Sequence, residues 1–455
     1  MKQVFSRTVR INRSAEAVFA WHENPAALAR LNPPWERVRV VQQSGGVGDG
    51  ARVILKAKVG PIETTWEMEH FDCRPGSQFC DRQLQGPFKS WTHFHRFKAV
   101  EAEVCELTDE IHYELPFGPL GGIGANFVTG KLEQLFAYRQ ATTKADLEAP
   151  VRGVAGRVVI SGASGLIGQA LVPFLRMRGW QVDGLVRREA RTANEIEWNP
   201  SAGTVKWPQG YAPDAVIHLA GANIADGRWT AARRQSILKS RVEGTRTLAL
   251  ALQDLATPPR VWLSGSATGF YGEQGDVEVD ELAPRGAGFL AEVVEAWERE
   301  TAPATALGVR TVHLRSGVVL SAGGGALGKM LPAFSAGVGG PLGDGTQWMS
   351  WIGLEDWMRA CAHALQETSL TGPVNLVAPA AVQNGFFART LGEVLRRPAI
   401  LPVPAVVLQM LLGQMADEAL LASTRVAPRR LEESGFKFLH PTLENTLRHV
   451  LGKVL

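Results

Sequence analysis

The residues with the plainest chemical meaning stand together in Arg157-Val-Val-Ile-Ser-Gly-Ala-Ser-Gly-Leu-Ile-Gly168, an apolar run that stops at a glycine-rich turn and continues amphipathically. Gly162, Gly165 and Gly168 have the spacing that lets a backbone turn sharply, approach a pyrophosphate and pack a helix on a strand. Ser164, Leu166 and Ile167 lie in the same turn, where free amides and the positive end of a helix dipole face an anion. A strand-to-helix turn with no ligand is the bland alternative. The β-rich run before the turn, and the helical spacing from Leu166 to Arg178 after it, favour a dinucleotide cradle.

The next apolar run, Gln181 to Val186, ends in Arg187-Arg188, where an Asp or Glu is expected if the ribose hydroxyls of NAD are read. Guanidinium forks match the oxygens of a 2'-phosphate, so the pair points to NADP over NAD, against the alternative of a solvated charge pair. Asp214 to Ala220 reads as a buried strand running into His218-Leu-Ala-Gly-Ala-Asn-Ile224, which brings Leu219, Ala220 and Gly221 to the same edge. Arg260 to Leu263 delivers Ser264-Gly-Ser-Ala-Thr-Gly-Phe-Tyr-Gly272 there too, with Ser266 as the candidate catalytic hydroxyl.

The elements that position these groups form an α/β pattern, a doubly wound parallel (Rossmann) sheet, over residues 156–402. An α+β region precedes it. Phe5 to Ile11 alternates like a strand, Ser14 caps a helical run from Ala15 to about Leu31, and six further strand-like segments follow between Glu36 and Tyr113. Gly45-Gly46, Gly60-Pro61, Pro75-Gly76 and Gly86-Pro87 supply turns, and a long helix runs from Gly124 to about Lys144. The organisation expected is 1–145, a linker at 146–155, the nucleotide-binding domain with substrate-lobe insertions at 156–402, and a small helical domain at 403–455.

Composition excludes several classes. A net charge of +3 with 20% charged residues does not indicate nucleic acid or an acidic membrane surface. The four cysteines lack metal-site or disulfide-framework spacing. His93 and His95 share a strand face, with His70 and His112 in reach, but no fixed carboxylate or cysteine partner is evident, so no metal site is expected. No apolar leader or long apolar run occurs, and a soluble, cytoplasmic protein is the expectation. Pro402 to Gly413 reads as a buried or interface helix.

Residues 1 to 145, through Ser14-Ala15-Glu16-Ala17-Val18-Phe19, the sheet pattern and the final helix, resemble the START-like, polyketide-cyclase-like helix-grip superfamily. The resemblance implies a cavity for a hydrophobic ligand; a solid core is the alternative. Residues 156 to 455 resemble extended short-chain dehydrogenase/reductases of the NAD-dependent epimerase/dehydratase type. The resemblance rests on the glycine turn, His-Leu-Ala-Gly, Ser-Ala-Thr-Gly-Phe-Tyr-Gly and Leu314-Arg-Ser-Gly-Val-Val-Leu320. Pro341 to Ile352, Gly385-Phe-Phe, Ser423 to Pro428 and the stretch after Val403 match a branch with its own C-terminal domain.

In that superfamily a Ser, a Tyr and a Lys act together. Ser266 stands at the serine position, but Phe289-Leu-Ala-Glu-Val293 stands where Tyr-x-x-x-Lys belongs. Phe cannot transfer a proton and Val supplies no charge. Tyr271 is a candidate substitute, although a packing role is simpler; Glu292, Glu295, Glu298 and Glu300 read as a charged helix face. Arg315 could hold an anionic group, although a structural salt bridge is simpler; Gln347, Trp348, Ser350 and Trp351 could form a substrate wall, with a core role as the alternative. Two functions follow: an NADP-dependent redox or epimerising enzyme, or a sensor or scaffold that keeps the nucleotide and lacks the catalytic pair. A third places chemistry in the first domain, at His93, His95 or Asp81. The partners expected are a small-molecule substrate or hydrophobic ligand, with neither nucleic acid nor membrane, and homo-oligomers are allowed.

Overall fold

The computed structural model describes residues 2–36, 38–59, 62–116, 122–150 and 155–453. The chain divides into two units, Met1–Arg152 with His449–Leu455, and Gly153–Arg448.

In the first unit seven strands form one antiparallel sheet: β1 (Lys2–Ile11), β2 (Val38–Ser44), β3 (Arg52–Val59), β4 (Ile62–Arg74), β5 (Gln78–Gln85), β6 (Ser90–Glu101) and β7 (Val104–Glu114). Their order is β1-β7-β6-β5-β4-β3-β2. Helix α1 (Ala15–Glu23) starts at Ser14, whose Oγ accepts from the Ala17 amide at 3.3 Å. The helix expected to reach Leu31 stops early, because Pro25 offers no amide and holds Asn24 extended; Ala27–Arg30 forms a separate turn. The long helix α2 (Gly122–Glu148) runs three residues into the expected linker, where Asp146 pairs with buried Arg30 at 2.8 Å. The Gly60-Pro61 turn and residues 151–154 of the linker region lie outside the described residues.

Strand β7 shows how the first core is built. Period two turns Cys105, Leu107, Asp109, Ile111 and Tyr113 inward. The apolar members divide between two clusters, one around Phe19, Phe79 and Phe97 and one around Trp91, Ile111 and Phe136. Asp109 sits between them.

In the second unit an eight-stranded sheet contains β8 (Arg157–Ser161), β9 (Gln181–Val186), β10 (Glu195–Asn199), β11 (Thr204–Val205), β12 (Ala215–His218), β13 (Val261–Ala267), β14 (Arg310–Ser316) and β15 (Gly372–Leu376). The order is β11-β10-β9-β8-β12-β13-β14-β15, parallel throughout except for the short β11. Helices cover both faces. Val158 and Ile160 point toward Phe174 of α3 (Leu166–Met177) and Trp357 of Leu354–Gln366, while Val159 packs with Leu248 of α4 (Ala231–Ala251). Burial on both faces explains why β8 is apolar without alternation. The chain reverses its direction of winding between β8 and β12, which places a crevice at their carboxyl ends.

Near the C-terminus, Pro402 to Gly413 holds a helix, Ala405–Leu412, and of the two expectations, buried or interface, burial does not hold: Val406, Met410 and Leu411 are 66%, 71% and 64% exposed. Among the described residues, no helix is long and apolar enough to cross a membrane.

Candidate functional site

The glycine turn sits at that crevice. Gly162 has φ +76°, and a Cβ there would lie 2.8 Å from the Leu219 carbonyl carbon. A Cβ on Gly168 would lie 2.3 Å from the Gly162 carbonyl oxygen, so both glycines are required by close packing of strand, turn and helix. Gly165 differs: its φ is −76°, and a Cβ would meet a single atom, at 3.3 Å. It is exposed, as is Ser164, and no side chain caps the helix that it opens. The first-turn amides of α3 therefore have no intrahelical acceptor and carry the positive end of the dipole. This open cradle fits a dinucleotide pyrophosphate.

Ser161 ties the cradle to β12. Its Oγ accepts from the Leu219 and Ala220 amides, both at 3.2 Å, and lies 2.6 Å from His218 Nδ1. With two donors already received, the hydroxyl donates to Nδ1, and His218 carries its proton on Nε2. Burial, aided by the nearby Arg241 charge, lowers the His218 pKa to about 3, so the ring is a neutral packing element between Trp198 and Trp262. The amides of Leu219 and Ala220 are thus spoken for within the protein. The side chain of Arg241 lies against the position a Gly221 Cβ would take, at 3.4 Å, and donates to the Ala222 carbonyl at 3.0 Å.

At the end of β9 the two arginines part. Arg188 holds Glu195 through Nη1 and Nη2 at 2.9 and 2.5 Å, and this pairing brings the Glu195 pKa to about 2. Arg187 is exposed and has no ion pair among the described residues.

Ser266, buried at the end of β13, donates to Glu298 Oε1 at 2.6 Å. Glu298, on α5 (Phe289–Arg299), also receives Nε and Nη2 of Arg315, each at 2.8 Å. Arg315 stands opposite Ser266 in the β13–β14 register, stacks 3.5 Å from the Phe270 ring centroid, and donates from Nη1 to the Tyr271 hydroxyl at 3.1 Å. Tyr271, fully buried, donates to Asn375 Oδ1 at 2.7 Å. Burial pushes the Glu298 carboxyl up, but the Arg315 hydrogen bonds and charge outweigh it and hold the group below the usual carboxylate range. Burial pushes the Tyr271 phenol up, further from proton transfer near neutral pH.

Helix α5 begins where the Phe289 and Leu290 amides meet the Glu418 carboxylate at 3.1 and 2.8 Å. Phe289 packs edge-on to Trp229, and Val293 is buried with Trp229, Ile237 and Met415. In the Pro341–Ile352 segment, Gln347 borders a cleft of about 790 Å³ together with Glu273, Asp276, Asp344 and Ser423. Trp348 donates to Asp276 at 2.8 Å, whereas Trp351 is core and Ser350 bridges Thr424 and Val426.

Comparison with known proteins matches residues 158–376 to the NAD dependent epimerase/dehydratase family and residues 403–450 to a domain of unknown function, DUF1731. Residues 2–143 match the polyketide cyclase / dehydrase and lipid transport family. An epimerase family protein of Mycobacterium tuberculosis is 43% identical over 290 residues, 64% of this chain and 96% of that protein. The chain belongs to the NAD dependent epimerase/dehydratase family. It is also similar to a solved structure described as the nucleoside-diphosphate sugar epimerase from Corynebacterium glutamicum, at 31% identity and TM-score 0.80, over 98% of this chain and 90% of that one. The human epimerase family protein SDR39U1, solved with NADPH, is 33% identical with TM-score 0.60, over 66% of this chain and all of that one.

In this epimerase-family chain the fold brings Gly162, Ser164, Gly165, Leu166, Ile167 and Gly168 together with Leu219, Ala220 and Gly221 at one sheet edge. Arg188 is diverted to Glu195, and Ser266 to Glu298. Glu298 was the residue that sequence reasoning misjudged, as part of a solvated face. The signal was its spacing, since Ala291, Val294 and Glu298 fall on one helical stripe whose first two members are buried. In the first unit, His93 and His95 do have carboxylate partners, Asp81 and Asp109, while His112 is exposed and pairs with Glu110.

Proposed function

We propose that the epimerase-family unit binds NADP(H) in preference to NAD(H), and that any chemistry it performs is hydride transfer without a tyrosine acid/base. The observation that carries this reading is the open cradle at Gly165, together with Arg187, exposed and without an ion pair among the described residues. Backbone amides of Leu166 and Ile167 would hold the pyrophosphate with Ser164 beside them, and Arg187 would take the 2'-phosphate. Arg188, held by Glu195, would fix the course of the loop that presents Arg187. The NADPH in the human relative supports the choice of cofactor for that protein, and by similarity here. When bound, the nicotinamide supplies or accepts a hydride. Phe289 and Val293, at the positions of the usual Tyr and Lys, give an apolar wall that excludes water and moves no proton. The cleft beside Gln347, lined by Glu273, Asp276 and Asp344, offers acceptors to a hydroxylated, sugar-like substrate.

One observation favours a second reading. The Ser266 hydroxyl is committed to Glu298 rather than turned toward a ligand, which suits a nucleotide-dependent sensor or scaffold. Titration with NADPH and NADH, followed by absorbance at the reduced-nicotinamide band with nucleotide sugars and simple carbonyl compounds, separates the two. Tighter NADPH binding with oxidation by one substrate class supports the enzyme. Tight binding with no oxidation supports the sensor, and equal or absent binding of both nucleotides removes the proposal.

A further inference from the structure

The inward face of the first unit's sheet carries a polar row that the nucleotide site does not use. Asp81 stands opposite His93, and His95 opposite Asp109, on the central strands β5, β6 and β7. Their side chains are 13%, 4%, 12% and 6% exposed. Phe136 and Gln140 of α2 cover them. Apolar clusters flank the row on both sides, and burying several ionisable groups there costs several kcal/mol per ion unless they are well paired. A buried group of carboxylates and imidazoles is also the donor set that a bound cation requires.

Each imidazole lies between two carboxylates. His93 Nδ1 and His95 Nε2 are 3.2 and 3.4 Å from the same atom, Asp81 Oδ2. The opposite nitrogens, His93 Nε2 and His95 Nδ1, are 3.3 and 2.9 Å from Asp109 Oδ1. His95 Nδ1 is buried and, despite that short distance, makes no hydrogen bond of acceptable geometry. The other Asp109 oxygen accepts from Gln140 Nε2 at 2.7 Å, and Gln140 Oε1, on a residue 3% exposed, has no partner among the described residues.

We infer that Asp81, His93 and His95 form a binding site for one divalent transition-metal ion, with Asp109 and Gln140 as its supporting shell. One ligand atom from each of the three lies within 4.8 Å of the others. Donors about 2.0–2.2 Å from a shared ion stand roughly 3–3.5 Å apart, as the Asp81 to histidine distances do. Metal-bound histidines characteristically direct their second ring nitrogen to a carboxylate, which is where Asp109 lies. Two imidazoles and one carboxylate suit zinc and its first-row neighbours rather than calcium or magnesium, which take oxygen ligands. Three protein donors leave a position for water or a ligand.

The test uses the full chain, stripped with chelator and titrated with Co²⁺, then with Zn²⁺ as competitor. One equivalent of Co²⁺ should produce visible ligand-field bands that Zn²⁺ abolishes. His95→Gln and Asp81→Asn should weaken binding about 100-fold or more, and Asp109→Asn by about 10–100-fold. Circular dichroism checks that each variant is folded. No saturable Co²⁺ or Zn²⁺ binding by the unaltered chain overturns the inference, as does equal affinity in a folded His95→Gln variant. NADPH affinity is measured alongside, so failure of the metal site and failure of the nucleotide site are read separately.

Discussion

Ser266 Oγ and Glu298 Oε1 are 2.6 Å apart, and the same carboxylate holds Arg315 through two further bonds. The serine is therefore part of a buried ion network that joins β13, β14 and α5. A hydrogen bond to a charged group contributes about 1.5–3 kcal/mol, so Ser266→Ala should destabilise the second unit by about 2 kcal/mol. Glu298→Gln leaves Arg315 without its countercharge and should cost more, about 3–5 kcal/mol. Urea unfolding measures both. If Ser266→Ala leaves stability unchanged and removes only turnover, the hydroxyl serves the substrate and not the network.

Gly165 separates binding from folding. Gly162 and Gly168 are enclosed by backbone, so alanine at either should unfold the turn. Gly165 has an ordinary φ and an open Cβ direction. Gly165→Val should lower NADPH affinity by at least about 100-fold, because the side chain would enter the space proposed for the pyrophosphate, while the melting temperature shifts by only a few degrees. Retained affinity would show that no phosphate binds at this turn.

Arg187 and Arg188 are adjacent but unequal. Arg187→Ala should weaken NADPH binding about tenfold or more with little change for NADH, since only the 2'-phosphate distinguishes them. Arg188→Ala should have a smaller effect, because its guanidinium is paired with Glu195. Isothermal titration of both nucleotides checks the ordering. Equal losses in NADPH and NADH for Arg187→Ala would mean that it does not read the phosphate.

Local patterns were readable where one stretch of chain decides the outcome. The apolar run into Gly162, the alternation of β7 and the two winding directions follow from period, burial and turn chemistry. Readings failed where a distant residue decides. Nothing near Ser266 announces Glu298, which arrives on a helix, or Arg315, which arrives by strand register. Likewise, the sequence around His93 and His95 offers them no carboxylate, because Asp81 and Asp109 come from the neighbouring strands on either side. Local chemistry also decided the end of α1, where Pro25 outweighs an otherwise helical pattern.

His218 gives the second unit a pH dependence with a defined sign. An unfolded histidine titrates near 6.5, whereas the buried ring has its pKa lowered to about 3, so the unfolded chain binds the extra proton first as pH falls. The neutral ring's contribution is present above pH 6.5 and is lost progressively toward pH 3. Between pH 7 and pH 5 this amounts to about 2 kcal/mol, at roughly 1.4 kcal/mol per pH unit once below 6.5. His218→Gln keeps an acceptor for the Ser161 hydroxyl but does not titrate. Its stability should be lower at pH 7, from altered packing between Trp198 and Trp262, and its decline from pH 7 to pH 5 should be smaller than that of the unaltered chain by about 2 kcal/mol. Urea denaturation at the two pH values measures the difference, in which the other titrating groups cancel. An identical decline in both proteins would mean that His218 titrates in the folded chain as it does in the unfolded one, and that Ser161 does not donate to its Nδ1.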